Sequence, residues 1–384
     1  MNICLLSRDF LPNIGGIASH VYEISREFVK QGHNVHVITF KSKIFENKYE
    51  ELEGIKVHRI YLPNIRIFGR IFYAFFEFIK LLSLIKYENI HIIHSHTTIP
   101  DDLVTIFIKN KCKIITEHSS RFLLHIENNM RIPLYKTILN HADFITGPSK
   151  QLTNAFIKLG INKNKILFIS NGVDINKFNP HIKGDDIKNK YDISFNDNII
   201  LCPTRLTPIK GTKYLIKAIP IILECNKNIK FLIVGDGEEL IELKQLANKL
   251  KILEYIIFTR KIDNIEMPKY YAISDIVILP SLREATSIAG LEAMASGKVL
   301  IGTKVGGIPH IIENYNTGLL IPPRRPDKIA EAIIELINND KRRYRMGIKA
   351  RKRTEKNFSW EIIAKKFLNI YKKTYLKKII KIVN

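Results

Sequence analysis

Short, continuously apolar runs alternate with helix-length stretches along the whole chain, and they do so in two successive series. That pattern constrains the fold most. A run such as NICLLSR (2–8) or DIVILPS (275–281) has no polar face, so it suits a strand covered by helices on both sides of a parallel sheet. The first series continues with HNVHVITF (33–40), IKVHRIY (55–61), IHIIHSH (90–96), CKIITEHS (112–119), FITGPS (144–149) and ILFISNG (166–172). The second comprises IILCPTR (199–205), KFLIVGDG (230–237), YIIFTRK (255–261), DIVILPS, VLIGTK (299–304) and GLLIPP (318–323). Between them NPHIKGDDIKNKYDISFNDN (179–198) is poor in apolar residues and reads as a linker. The prediction is an α/β chain of two doubly wound domains, 1–180 and 190–360, with a cleft between them. At 384 residues the chain exceeds one ordinary core, which agrees.

Composition removes several classes. With 46% hydrophobic and 25% charged residues the chain is neither disordered nor fibrous. No apolar run reaches the ~18 residues of a spanning helix, and MNICLLSRDF meets Arg8 and Asp9 too early for a signal peptide. A cytoplasmic location is expected. Cys4, Cys112, Cys202 and Cys225 show no paired spacing, so zinc-finger and disulfide frameworks are not expected. The net charge of +23 is concentrated: residues 341–384 hold sixteen Lys or Arg against Glu355 and Glu361. Such a block fits nucleic acid, an anionic membrane or a solvated helix face, and charge alone does not choose.

Ligands of doubly wound sheets bind at the carboxyl ends of strands, so polar residues just after strands are the candidates. Gly15 and Gly16 follow the first strand and open a helical run, which suits an anion at the helix start or merely a tight connection. Arg205 and Lys210 follow a strand and precede Gly211 and another helix. Such cations suit a diphosphate, Arg through its fork and Lys as a point charge. After DIVILPS comes REATSIAGLEAMASGKVL (283–300), with Glu284 and Glu292 eight positions apart. On one helix they would stand roughly 12 Å apart. Hydrolytic carboxylate pairs lie within about 5–10 Å, so this spacing fits one carboxylate for each hydroxylated end of an elongated ligand. In ITEHSSR (115–121), Glu117, His118 and Ser119 end a strand of the first domain, where a histidine contacts substrate or serves structure. His94 and His96 share a strand face while His91 points away, and no carboxylate or cysteine joins them, so no metal site is expected there.

Together these residues resemble the retaining glycosyltransferases of family 4, with the GT-B fold. The resemblance rests on Gly15 and Gly16, NGVD (171–174), Arg205-x4-Lys210-Gly211, VGDG (234–237), the E-x7-E element ending in LEAMASG, and FSW (358–360). It covers nearly the whole chain. It implies a last helix (361–384) crossing back to an acceptor-binding first domain, with the nucleotide-sugar in the second. It also implies that Gly16, Arg205 and Lys210 hold the diphosphate, that Glu292 binds the ribose and Glu284 the donor sugar. His118 would line the sugar pocket, and the base would lie near Arg260 and Ile262. Gly15, Gly235, Ser287 and Ile288 complete the implied donor site, and Glu284, His118, Arg205 and Lys210 are its catalytic candidates. The donor would be a UDP- or GDP-sugar, with no other cofactor and no metal.

The chain departs from the family pattern at Ala285, Thr286 and Ser287, where an aromatic and a glycine are common, and at Lys298, where proline is. Those positions are expected to face the donor sugar. The segments 65–86 and 361–382 mix apolar residues with basic ones, including Arg66, Arg70, Lys80 and Lys86 in the first, and fit either a membrane interface or a core-facing helix. The expected protein is a hexosyltransferase acting on a lipid-linked or cell-surface glycan, peripheral at the inner face of the membrane. A sugar-nucleotide epimerase of the same fold is the alternative. A nucleic-acid-binding protein lacks support, since no zinc-finger spacing, RNP-like aromatic pair or KH loop is found.

Overall fold

The computed structural model describes residues 1–13, 15–41, 47–61, 69–96, 101–118 and 120–383. Ser119 and residues 65–68, both part of the readings above, lie outside these. The chain divides into two compact units, one made of Met1–Asn171 and the segment from Trp360 onward, the other of Gly172–Ser359.

In the first unit the strands are β1 (Asn2–Leu6), β2 (Asn34–Lys41), β3 (Tyr49–Leu52), β4 (Ile55–Tyr61), β5 (Ile92–Ser95), β6 (Cys112–Thr116), β7 (Phe144–Gly147) and β8 (Ile166–Phe168). Their order is β3-β4-β2-β1-β5-β6-β7-β8. Every pairing is parallel except β3 with β4. Strand β3, with its partly polar YEEL, escapes a reading based on apolar runs. The signal it does carry is the turn: Glu53 and Gly54 both take positive φ, 49° and 79°, as a two-residue hairpin turn requires.

The helix Gly16–Lys30 buries Val21, Ile24 and Phe28 at helical spacing. The last helix, Trp360–Val383, places Trp360, Ile363, Phe367 and Tyr371 in that same core. The chain thus returns to its first unit, as expected, because the first half of this helix is apolar on one face. Each of these side chains, nearly free of solvent, contributes about 1.5–3 kcal/mol of burial free energy.

The second unit contains β9 (Asn198–Pro203), β10 (Ile229–Val234), β11 (Ile256–Arg260), β12 (Ile276–Leu279), β13 (Val299–Thr303) and β14 (Gly318–Ile321). They form an all-parallel sheet in the order β11-β10-β9-β12-β13-β14. Apolar clusters cover both faces. Residues 179–198, read as a linker, belong inside this unit. They carry a helix, Asp185–Lys190, and two of their apolar residues, Ile187 and Ile193, are buried with Tyr270 and Tyr271.

The basic block also has structural work. Within the helix Asp340–Asn357, Arg351 donates to the carbonyls of Ile175, Phe178 and Ala295, and Arg353 to those of Ile311 and His310. These guanidiniums bond loop and helix-end carbonyls of their own unit.

Candidate active site

In the second unit the strand order reverses between β9 and β12, with β10 and β11 beyond β9. Crevices of such sheets open at that reversal, on the carboxyl side. The residues at these strand ends are Arg260, Gly235, Thr204 with Arg205, and the stretch 281–284, so the sheet order lines them up along one edge. Adjacent loops are tied by backbone: Gly235 N–H donates to the Arg260 carbonyl at 3.0 Å, and Leu206 N–H to the Asp236 carbonyl at 3.0 Å. Gly235 has φ 147°, and a Cβ there would stand 1.8 Å from the Thr204 carbonyl oxygen. Only glycine allows that approach.

The loop after β9 turns through a short 3-10 segment, Pro208–Lys210, into the helix Thr212–Cys225. Gly211, at φ 67°, packs against Pro280, where a Cβ would meet its carbonyl oxygen at 2.3 Å. The Ile209 carbonyl accepts the Leu282 N–H at 2.7 Å. Those backbone contacts bring Lys210 to Glu284: Nζ donates to Oε2 at 2.5 Å, and Ser281 Oγ adds a bond at 3.3 Å. On its other side Glu284 is held by the glycine loop after β13. Gly307 N–H donates to the Glu284 carbonyl at 3.1 Å, and a Cβ on Gly306 would lie 1.4 Å from that same oxygen. Arg205 is exposed at the start of the loop that carries Lys210.

Glu284 is not on the helix. The helix spans Ile288–Ala295, with Ser287 Oγ as its N-cap accepting the Gly290 N–H at 3.0 Å. Glu284 lies in the loop before it, held by side chains and carbonyl contacts, and Glu292 lies on its second turn. The roughly 12 Å expected for a continuous helix therefore does not apply. The expectation for Lys298 is also corrected: its ammonium donates to the Ala272 carbonyl at 2.7 Å, beyond the far end of the helix from Glu284. Burial lowers its pKa.

Tyr271, which sequence reasoning missed, is fully buried and donates its hydroxyl to Glu292 Oε2 at 2.8 Å. Burial pushes the Glu292 carboxyl above the usual range, although the Tyr271 hydroxyl and Lys177 pull the other way. A desolvated carboxylate with one donor satisfied is ready to accept further hydroxyl protons. Tyr271 lies in a short apolar helix, Met267–Ile273, and nothing in its spacing marks it.

In the first unit the reversal lies between β1 and β5. Gly15 adopts an extended backbone before the helix Gly16–Lys30. His94 is structural, its two nitrogens bonded to Tyr371 and Thr116 at 2.6 and 2.7 Å. His91 accepts the Asn2 N–H at 2.9 Å. His20 donates through Nδ1 to Asn171 Oδ1 at 2.9 Å, and His96 Nδ1 lies 3.2 Å from Nε2 of the partly buried His118. Burial holds all three rings neutral, with His20 lowered to about 4 and His96 and His118 well below their ordinary value.

Two doubly wound, largely parallel sheets of this order are the architecture of the GT-B fold. The solved structures agree on the fold. Sucrose-phosphate synthase from Thermosynechococcus elongatus matches with TM-score 0.84 at 20% identity, over 98% of this chain and 99% of that one. Anabaena HepE, in complex with UDP and glucose, matches with TM-score 0.79 at 20% identity, over 97% and 100%. The family model described as Glycosyltransferase Family 4 matches residues 14–177, and that described as Glycosyl transferases group 1 matches 184–353. The chain belongs to glycosyltransferase family 4. An uncharacterized glycosyltransferase of Methanocaldococcus jannaschii is 28% identical over 97% of this chain and 98% of its own. The N-acetyl-alpha-D-glucosaminyl L-malate synthase of Bacillus anthracis is 27% identical over 94% of each.

Proposed function

We propose that this glycosyltransferase moves a hexose-type sugar, with retention, from a UDP- or GDP-sugar to a lipid-linked or cell-surface glycan acceptor. The observation that carries the reading is the Lys210–Glu284 contact at the sheet reversal. A lysine held against a carboxylate has a fixed position without losing its charge, so it can face a diphosphate beside Arg205 while Glu284 offers its second oxygen to sugar hydroxyls. Glu292 then takes the ribose, Arg260 and Ile262 flank the base, and the backbone at Gly235, Ser287 and Ile288 lines the phosphates and sugar.

In the transfer the C1–O bond to the diphosphate breaks and a bond from C1 to the acceptor oxygen forms on the same face. The acceptor's proton passes to the departing phosphate oxygen. Arg205 and Lys210 stabilise the charge that develops there, and such fixed electrostatic stabilisation usually lowers an enzymatic barrier more than any other single effect. On this reading the step calls on no metal and no cofactor besides the donor.

Relatives support the acceptor class. The alpha-monoglucosyldiacylglycerol synthase of Streptococcus pneumoniae, 28% identical over 78% of this chain and 70% of its own, is named for a lipid product. A thermal-shift panel of UDP, GDP, ADP and their sugars tests the donor, because a ligand that binds only the folded state raises the melting temperature. One nucleotide should raise it well above the others, and Lys210→Ala should remove most of that rise. No shift with any nucleotide at millimolar concentration overturns the reading. Epimerisation of the donor incubated alone would point to the epimerase instead.

A further inference from the structure

We propose that His20, His96 and His118 form a binding site for a divalent transition-metal ion of the zinc type. Three imidazole nitrogens, one from each ring, lie within 4.8 Å of one another. They come from separate elements: His20 from the first turns of Gly16–Lys30, His96 from just after β5, and His118 from just after β6. No spacing in the chain joins them, which is why the sequence carries no metal expectation.

The chemistry of the donors fits. Because Asn171 Oδ1 can only accept, His20 carries its proton on Nδ1 and turns the Nε2 lone pair inward. Among the described residues that Nε2, which is buried, has no hydrogen-bond partner. An unpaired buried nitrogen is costly, and a metal ion bound by His20 Nε2 satisfies it. Two nitrogens on a tetrahedral zinc stand about 3.3 Å apart at Zn–N of ~2.0–2.1 Å, so the rings need close by no more than about 1.5 Å. His96 Nδ1 and His118 Nε2 already lie 3.2 Å apart.

The surroundings have the form of a metal site too. The Nδ1 bond to Asn171 orients His20 as outer-sphere partners orient metal-bound histidines. Trp360 and Phe367 pack edge-on against the same ring, at centroid distances of 5.2 and 6.2 Å, and keep that side dry. An all-imidazole set selects zinc, cobalt, nickel or copper over magnesium and calcium. Among the described residues the group comprises three ligands, so a four-coordinate ion there would take its fourth from solvent.

The test uses the full chain, stripped with chelator and titrated with zinc chloride by calorimetry. One equivalent is expected. Cobalt chloride should give tetrahedral d–d absorption without a thiolate charge-transfer band. Asn171→Ala, which leaves the three ligands in place, should weaken zinc binding about 10- to 100-fold. His118→Ala should abolish the stoichiometric event, and His141→Ala, at an exposed ring, should leave it unchanged. If the variants fail to fold, the cobalt spectrum of the unaltered chain still decides. No stoichiometric zinc binding, binding unchanged in His118→Ala, or a thiolate band overturns the proposal.

Discussion

Lys210 Nζ donates to Glu284 Oε2 at 2.5 Å, across two loops that follow neighbouring strands of one sheet. Neither side chain is near the other in sequence. The pair exists because Gly211 and Gly306 let three backbones approach within distances no other residue allows. On the proposed function, Lys210→Ala removes a charge aimed at the leaving diphosphate. It should lower kcat/KM by about 100- to 1,000-fold, the range seen for single oxyanion donors. Glu284→Gln should keep nucleotide binding while reducing transfer, because the amide retains an acceptor for the sugar but no longer pairs with the lysine. Steady-state kinetics with the donor found in the thermal-shift panel decide this. A loss below about tenfold for Lys210→Ala would show that the lysine does not touch the reacting phosphate.

Tyr271 and Glu292 make a second test, through an internal hydrogen bond rather than a ligand contact. Tyr271→Phe takes from the carboxylate its one buried hydroxyl donor, and a hydrogen bond to a charged group contributes about 1.5–3 kcal/mol. Nucleotide affinity should fall by roughly tenfold with kcat at saturating donor little changed. Glu292→Gln should behave differently in the free protein. Because burial raises the Glu292 pKa, its contribution to stability is present below the ordinary carboxylate pKa and lost as pH rises through the raised value. At neutral pH the group is therefore a net cost. The glutamine variant should melt higher than the parent without ligand and gain less from nucleotide. A lower melting temperature for the free variant would contradict the assignment of Glu292 as a strained binding group.

Much of this fold was legible because period and apolarity carry it. All six strands of the second unit fall on runs such as IILCPTR and DIVILPS, since a strand covered on both faces must be apolar at nearly every position. β3 was not legible by that rule, because its YEEL faces solvent on one side. Glu284, Glu292, Arg205 and Lys210 are candidates because they follow strands, and position after a strand is written in the sequence. Which of them touch was not. The Lys210–Glu284 contact depends on loop approach, and Tyr271 reaches Glu292 from another helix. The linker reading failed for a related reason: two isoleucines, Ile187 and Ile193, anchor a segment whose composition is otherwise that of a loop. The three histidines lie on separate elements and meet only once the sheet is assembled.

The helix Gly69–Tyr87 offers a test of membrane contact. Among the described residues no helix is long and apolar enough to cross a membrane. This one instead buries Tyr73, Leu81 and Leu84 and exposes Phe72, Phe75, Phe76, Ile79 and Leu82 on its outer side. Lys86 lies within that apolar stripe, and Lys80 flanks it on the side of His36 and His58. The arrangement fits a helix lying in the interface of an anionic leaflet, with aromatic rings inserted and lysines at headgroup level. The chain should float with vesicles containing phosphatidylglycerol and less with phosphatidylcholine alone. Raising salt should weaken binding by screening the lysines. Phe75→Ser with Phe76→Ser should weaken it at every salt concentration. Flotation unaffected by that double change would assign the stripe to another partner.

His36 and His58 stack with parallel rings in the first unit, with Nδ1 of one 3.1 Å from Nε2 of the other. Both are buried, and burial lowers their pKa values, His36 to about 4 and His58 to about 3. Glu88, at 3.6 Å from His36, favours its charged form, while Lys56 and Lys80 oppose charge on both rings, and the Tyr49 ring packs against His58. In the unfolded chain these histidines take up protons near pH 6.5, whereas in the folded chain they do so only about two or more units lower. The unfolded state therefore binds more protons throughout the window between those values, and stability falls as pH falls through it. At pH 5 each histidine costs about 2 kcal/mol relative to neutral pH. The melting temperature should drop between pH 7 and pH 5. Replacing both residues, as His36→Gln with His58→Gln, should remove a matching part of that slope even if it lowers stability at pH 7. Parallel pH profiles for the parent and the double variant would mean that this pair is protonated in the folded protein and that another group sets its acid sensitivity.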